Sequence, residues 1–166
     1  MPIFHPIPPV WDSTSRILIL GSFPSVKSRE QMFFYGHPQN RFWKVVSHIY
    51  HEPCPEDIPQ KKSFLIRHHI AVWDVVASCD IEGSSDASMR HVEVNDINEI
   101  LNQASILNIF LNGKTAEKYY RKYTYTATGR EAITLPSTSP ANAAWSLDRL
   151  IEAWRVIAIE KTFTEF

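Results

Sequence analysis

"RILILGSFPS", residues 16–25, decides the fold. Ile17, Leu18, Ile19 and Leu20 form an unbroken apolar run closed by Gly21. Alternating polarity would mark a strand with one wet face. An unbroken run marks a strand covered on both faces, as in a parallel sheet. Three further segments read the same way: "IAVWDVV" (70–76), "SILNIFLNG" (105–113) and "EAITLPSTSPANAAW" (131–145), the last breaking at Pro136.

Helical patterns lie between these strands. "NRFWKVVSHIYH" (40–51) places Phe42, Val45, Val46 and Ile49 on one face, with Asn40 at the capping position. "DIPQKKSFLIRHH" (57–69), "EVNDINEILNQA" (93–104, with Asn95 or Asp96 as cap), "KTAEKYYRKY" (114–123) and "SLDRLIEAWRVIAI" (146–159) also read as helices, the last opening on a Ser cap with Asp148 in its first turn. Residues 22–39 read as a long loop. Strand and helix alternate four times, which predicts an α/β fold. We expect a three-layer α/β/α sandwich around a central four-stranded parallel sheet, with ligands held outside the carboxyl ends of the strands.

The chain has 166 residues, 44% apolar and 21% charged, with a formal net charge of −1. This predicts one globular domain over 1–166 and excludes a global basic field, so any nucleic-acid contact must be local. Cys54 and Cys79 are too few for a disulfide framework and read as reduced cytosolic thiols. "MPIFHPIPPVWD" has four prolines and no basic or long apolar run, so residues 1–15 read as an extended arm on a cytoplasmic protein, with no membrane contact expected. His48, His51 and Cys54 fall at three-residue steps, but prolines break the geometry; no metal site is expected.

The strand-end loops carry the chemistry. The first offers Ser22 and Ser25 with the rings of Phe23, Phe34 and Tyr35. Such rings suit a flat heterocycle or fill the core beneath a loop. Asn40 fits two roles, a helix cap or an amide facing a pocket; Asn112 is either a turn residue before Gly113 or a reader of a ligand's polar edge. "LPSTSPANAAWS" supplies Ser137, Thr138, Ser139 and Asn142 before a helix start, which suits a phosphate or a capped loop. Lys27, Arg29, Arg41, Lys44 and Lys114 flank this edge as a solvated rim or a phosphate track. No phosphate-loop, dinucleotide or nucleophile-elbow motif is present.

"GSFPS" followed by "YGHPQNRFWKVV" resembles the first motif region of the uracil-DNA glycosylase superfamily, closest to its mismatch-specific branch. "LNGKTAEKYY" resembles that branch's third strand and helix. "STSPANAAWS" stands where the family has its minor-groove loop. The combination, spanning residues 16–158, resembles the deoxyinosine (hypoxanthine) DNA glycosylase branch.

The resemblance implies a monofunctional glycosylase that flips a deaminated base out of DNA and leaves an abasic site. It implies no cofactor and no partner beyond the DNA; we expect a monomer. Phe23 stands where the mismatch branch has a water-positioning Asn, so the catalytic role passes to Asn40. In this reading the pocket lacks Asp and Glu. The base stacks on Tyr35 against Phe23, Asn112 reads the purine edge, and Ser139 completes the base pocket. Ser22, Ser25, Lys27, Lys114, Ser137, Thr138 and Asn142 meet the DNA backbone. The alternatives are a uracil or mismatch glycosylase of the same fold, and a non-catalytic module that binds a nucleotide or damaged DNA.

Overall fold

The structure is a computed structural model and describes residues 2–158. The elements in chain order are β1 (Ile3–Phe4), β2 (Ile17–Gly21), α1 (Val26–Gln31), α2 (Phe42–Ile49), α3 (Ile58–Arg67), β3 (Ile70–Asp74), β4 (Val76–Asp80), β5 (Arg90–Val94), α4 (Asn98–Leu101), β6 (Asn108–Asn112), α5 (Lys114–Tyr119), α6 (Tyr125–Thr128), β7 (Ile133–Leu135) and α7 (Leu147–Trp154). A π-helical turn over Tyr120–Thr124 joins α5 to α6.

The central sheet has four strands in the order β3-β2-β6-β7, all parallel. Every residue of β2 and β3 is buried, as their unbroken apolar runs require. Helices flank this sheet, as expected. The elements differ from expectation in four places. A short helix, α1, interrupts the presumed loop, capped by Ser25, whose Oγ accepts from Ser28 N. "IAVWDVV" does not run as one strand: after Asp74 the chain leaves the parallel sheet and enters an antiparallel one, β1-β4-β5. That second sheet takes Glu93 and Val94 into β5, and the helix expected after a cap at Asn95 or Asp96 is only the single turn α4. Finally, α2 starts at Phe42 with Arg41 at its cap position, so Asn40 lies one residue before the cap. The last helix keeps its Ser146 cap; Ile159 and the residues after it lie outside the described residues, as does Met1.

The N-terminal arm closes two edges. Ile3 and Phe4 pair with Ser78 and Cys79 of β4. Val10 exchanges backbone hydrogen bonds with Val72 at 2.9 and 3.0 Å, covering the otherwise open edge of β3.

Phe42 links the loops to the core. It is fully buried, stacks on Tyr35 at 4.1 Å between centroids, and meets Trp43 and Trp154 edge-on at 4.9 and 5.9 Å. Trp154 in turn donates its indole N–H to Pro136 O at 2.9 Å. Phe42→Ala should therefore lower stability by about 3–5 kcal/mol, the usual loss for a buried Phe. Urea unfolding should show this as a lower midpoint with an unchanged slope.

Candidate functional site

A cavity of about 270 Å³ opens at the carboxyl end of the parallel sheet. It is just large enough for one flat heterocycle. All four strand ends reach it: Gly21 closing β2, Asp74 closing β3, Asn112 closing β6, and Ser137 to Ser139 after β7.

The wall nearest α1 is a tightly folded loop. Ser28 is buried, and its Oγ accepts from Gly36 N at 2.9 Å. A Cβ on Gly36 would stand 2.5 Å from Gln31 Oε1, so the Gln31 side chain folds over the space that the glycine leaves. Tyr35, just before it, has φ +54°. A non-glycine residue held in the left-handed region costs on the order of 1–3 kcal/mol and persists where its surroundings over-determine it. Here the Phe42 ring backs the tyrosine while the side chain lines the cavity. The Tyr35 hydroxyl oxygen is buried with no hydrogen-bond partner. Burial raises its pKa, with a further push from the Asp74 charge, so the group keeps its proton.

The opposite wall is an amide relay. Asn112 Nδ2 donates to Thr138 Oγ1 at 3.0 Å, and Asn112 Oδ1 accepts from Thr138 N at 3.0 Å. Thr138 Oγ1 donates in turn to Asn40 Oδ1 at 2.9 Å. Asn40 Oδ1 also accepts from Phe42 N at 2.9 Å, tying it to the start of α2. Two donors on one oxygen fix the amide's orientation. The Asn40 Nδ2 group has no protein partner among the described residues and lines the cavity. Asn40 thus serves both its helix and the pocket.

Several side chains stand otherwise than expected. Thr138 is fully buried with its hydroxyl and N–H committed, so it supports Asn40 and cannot meet a phosphate. Asn112 lines the cavity, but its carbonyl and one N–H are spent on Thr138. Arg41 is no rim cation: its guanidinium donates to the backbone carbonyls of Ser139, Asn142 and Trp145 and staples the 137–145 loop in place. Arg29 is similarly committed to Pro24 O and Gly83 O, beside the Phe23 ring. Phe23, Ser22, Ser25, Ser137 and Ser139 do line the cavity. Asn142 and Lys114 instead line an adjoining open groove with Lys118, Tyr119 and Trp145. Lys27 is exposed and pairs with Glu30 at 3.6 Å.

The pocket also holds carboxyl groups, against the expectation of none. Asp74 is 3% exposed and lines the cavity. Its Oδ2 lies 2.7 Å from His5 Nε2. Because Ile7 N donates to His5 Nδ1 at 3.2 Å, the ring proton sits on Nε2 and points at Asp74. His5 itself packs against Phe23 and Phe34, with centroids 5.9 and 6.0 Å away. Asp86 reaches the same cavity, where Ser22 Oγ donates to it at 3.3 Å; desolvation, more than the Asp74 charge, raises its pKa. A signal for Asp74 existed: it closes the apolar run "IAVW" just as Asn112 closes "IFL". His5, in a proline-rich arm, had none.

Among the described residues no three His, Cys, Asp or Glu side chains gather as a metal site. No helix there is long and apolar enough to cross a membrane.

Comparison with known proteins agrees with this architecture. Two curated relatives are each 34% identical to the chain. One is a hypoxanthine DNA glycosylase of Methanosarcina acetivorans, aligned over 90% of this chain and 94% of its own. The other is a hypoxanthine DNA glycosylase of Methanosarcina barkeri, aligned over 81% and 85%. A solution NMR structure of a proposed uracil DNA glycosylase from Methanosarcina acetivorans superposes with a TM-score of 0.79 at 33% identity, covering 95% of this chain and 96% of that one. Residues 8–158 match the family model of the uracil DNA glycosylase superfamily, and the chain belongs to that superfamily.

Proposed function

We propose that this protein hydrolyses the N-glycosidic bond of hypoxanthine in DNA, as a cytoplasmic monomer that leaves an abasic site. The observation that carries this reading is the Asn40 amide, oriented by Thr138 and Phe42 with its N–H₂ group free at a base-sized cavity. The names of the two relatives support the choice of base.

The target nucleotide leaves the stack, at a cost of a few kcal/mol that is least for a mispaired base. The purine lies on Tyr35, which Phe42 backs from behind, with Phe23 as the other apolar wall. The C1′–N9 bond breaks with its electron pair on the purine, and the sugar gains oxocarbenium character. The Asn40 Nδ2–H group holds a water by its oxygen beside C1′. Its Oδ1 is already doubly engaged, so the amide positions that water and does not act as a base. Position suffices where the electrophile is nearly a cation. The water oxygen bonds to C1′, and its proton ends on the departing base. Ser137 and Ser139 at the cavity, with Lys114 and Asn142 in the adjoining groove, meet the flanking phosphates, while the Ser22 and Ser25 hydroxyl protons are committed to Asp86 and Ser28 Oγ.

A uracil-releasing activity is the second reading, favoured by the description of the NMR structure. Single-turnover release from duplexes carrying hypoxanthine, uracil, xanthine or a G·T mismatch separates the two. Hypoxanthine should leave fastest; uracil release without hypoxanthine release would reverse the assignment.

Asn40→Ala should slow hypoxanthine release roughly 10²–10³-fold, the usual cost of losing one positioned hydrogen-bond group in an active site. It should also lower the melting temperature, because Phe42 N and Thr138 Oγ1 lose their acceptor. A near-normal rate in a folded variant would remove Asn40 from the chemistry. Tyr35→Ala should weaken binding of the lesion duplex roughly 5- to 150-fold, from a stacking contribution of about 1–3 kcal/mol.

A further inference from the structure

The Asp74–His5 pair is the buried polar group that the hydrolysis above leaves without a task. Asp74 Oδ2 is held by His5, while Asp74 Oδ1 has no hydrogen-bond partner among the described residues. The Tyr35 hydroxyl, also without a partner, lies close by. Both oxygens crowd Gly21: a methyl group on its Cα would stand 2.5 Å from Asp74 Oδ1 and 3.1 Å from the Tyr35 oxygen. An unpaired acceptor, Asp74 Oδ1, thus stands beside Tyr35 in the wall of the cavity. Leaving such groups unsatisfied is costly unless a ligand completes them.

Deamination has one chemical signature in purines and pyrimidines alike. The parent base presents a ring nitrogen lone pair beside an exocyclic amino donor. The product presents a ring N–H beside a carbonyl oxygen. Donor and acceptor exchange places, while the shape hardly changes. We propose that Asp74 Oδ1 reads this exchange: it accepts the ring N–H of the deaminated base, whose face lies on the Tyr35 ring. Adenine would set its ring lone pair against the Asp74 oxygen. Rejection then follows from unpaired buried groups, which discriminate far better than a missing methylene does. His5 is the positioning residue. Its Nε2–H pins one carboxyl oxygen and so aims the other, which makes the N-terminal arm part of base selection.

This inference rests on the lesion base entering the cavity, but it does not require that the base be cut out. The test is therefore equilibrium binding to duplexes with a 2′-fluorinated sugar, which withdraws electrons from C1′ and blocks hydrolysis. The lesion position carries hypoxanthine, adenine or an abasic tetrahydrofuran. The wild-type protein should prefer the hypoxanthine duplex to the adenine duplex. Asp74→Asn, which can offer an N–H in place of an acceptor, should reduce that ratio at least tenfold, with tetrahydrofuran binding changed less than threefold. His5→Ala should shift the ratio in the same direction by less, and His5→Gln, which retains an N–H, should restore it. The His5 variants carry the test if Asp74→Asn fails to fold by circular dichroism.

A ratio unchanged in these variants, or absent from the wild type, overturns the inference. If the ratio depends on Asp74 but the natural lesion is never released, the hydrolase reading falls and this one stands. Release of hypoxanthine with a ratio indifferent to Asp74 does the reverse.

Discussion

One buried hydrogen-bond chain organises this molecule: Asn112 to Thr138 to Asn40. It joins the end of β6, the loop after β7 and the start of α2, three places far apart in sequence. Each buried member has its partners, so the chain specifies one arrangement of loops and penalises any other. Arg41 repeats the pattern from the next residue, holding the 137–145 loop by its carbonyls. The geometry of the cavity wall is thus a by-product of loop docking. The residue that completes the buried network also presents its free amide edge to the cavity.

The pocket's apolar side rests on a different constraint. Tyr35 is held at a left-handed backbone angle and pressed on Phe42, which is itself locked against Trp43 and Trp154. A ring fixed in this way loses little entropy when a base stacks on it, and that preorganisation favours binding. The strain at Tyr35 is offset by the packing behind it, as backbone outliers at functional sites generally are.

The parallel sheet was legible because its strands are unbroken apolar runs, and the strand-end rule then led to the right edge of the sheet. The second sheet was not legible. It exists because the chain turns out of β3 after Asp74, and β5 is a mostly exposed strand that pairs only because β4 lies beside it. Asn40 was found by type and motif, but its dual role needed side-chain direction, which periodicity does not contain. Thr138 and Arg41 were misread for a related reason: a hydroxyl or a guanidinium in a loop looks available until burial shows it committed. Asp74 closes β3 as Asn112 closes β6, so its place at the cavity follows from the strand end and not from any loop motif.

The most direct test of the account is the product of a single turnover on a duplex containing one hypoxanthine. Mass spectrometry of the small molecules and of the strands, before any alkali or heat, identifies what leaves and what remains. The account predicts free hypoxanthine together with an uncut strand carrying one abasic site. Tight binding with the base still attached, or a strand cut in step with base loss, would contradict it.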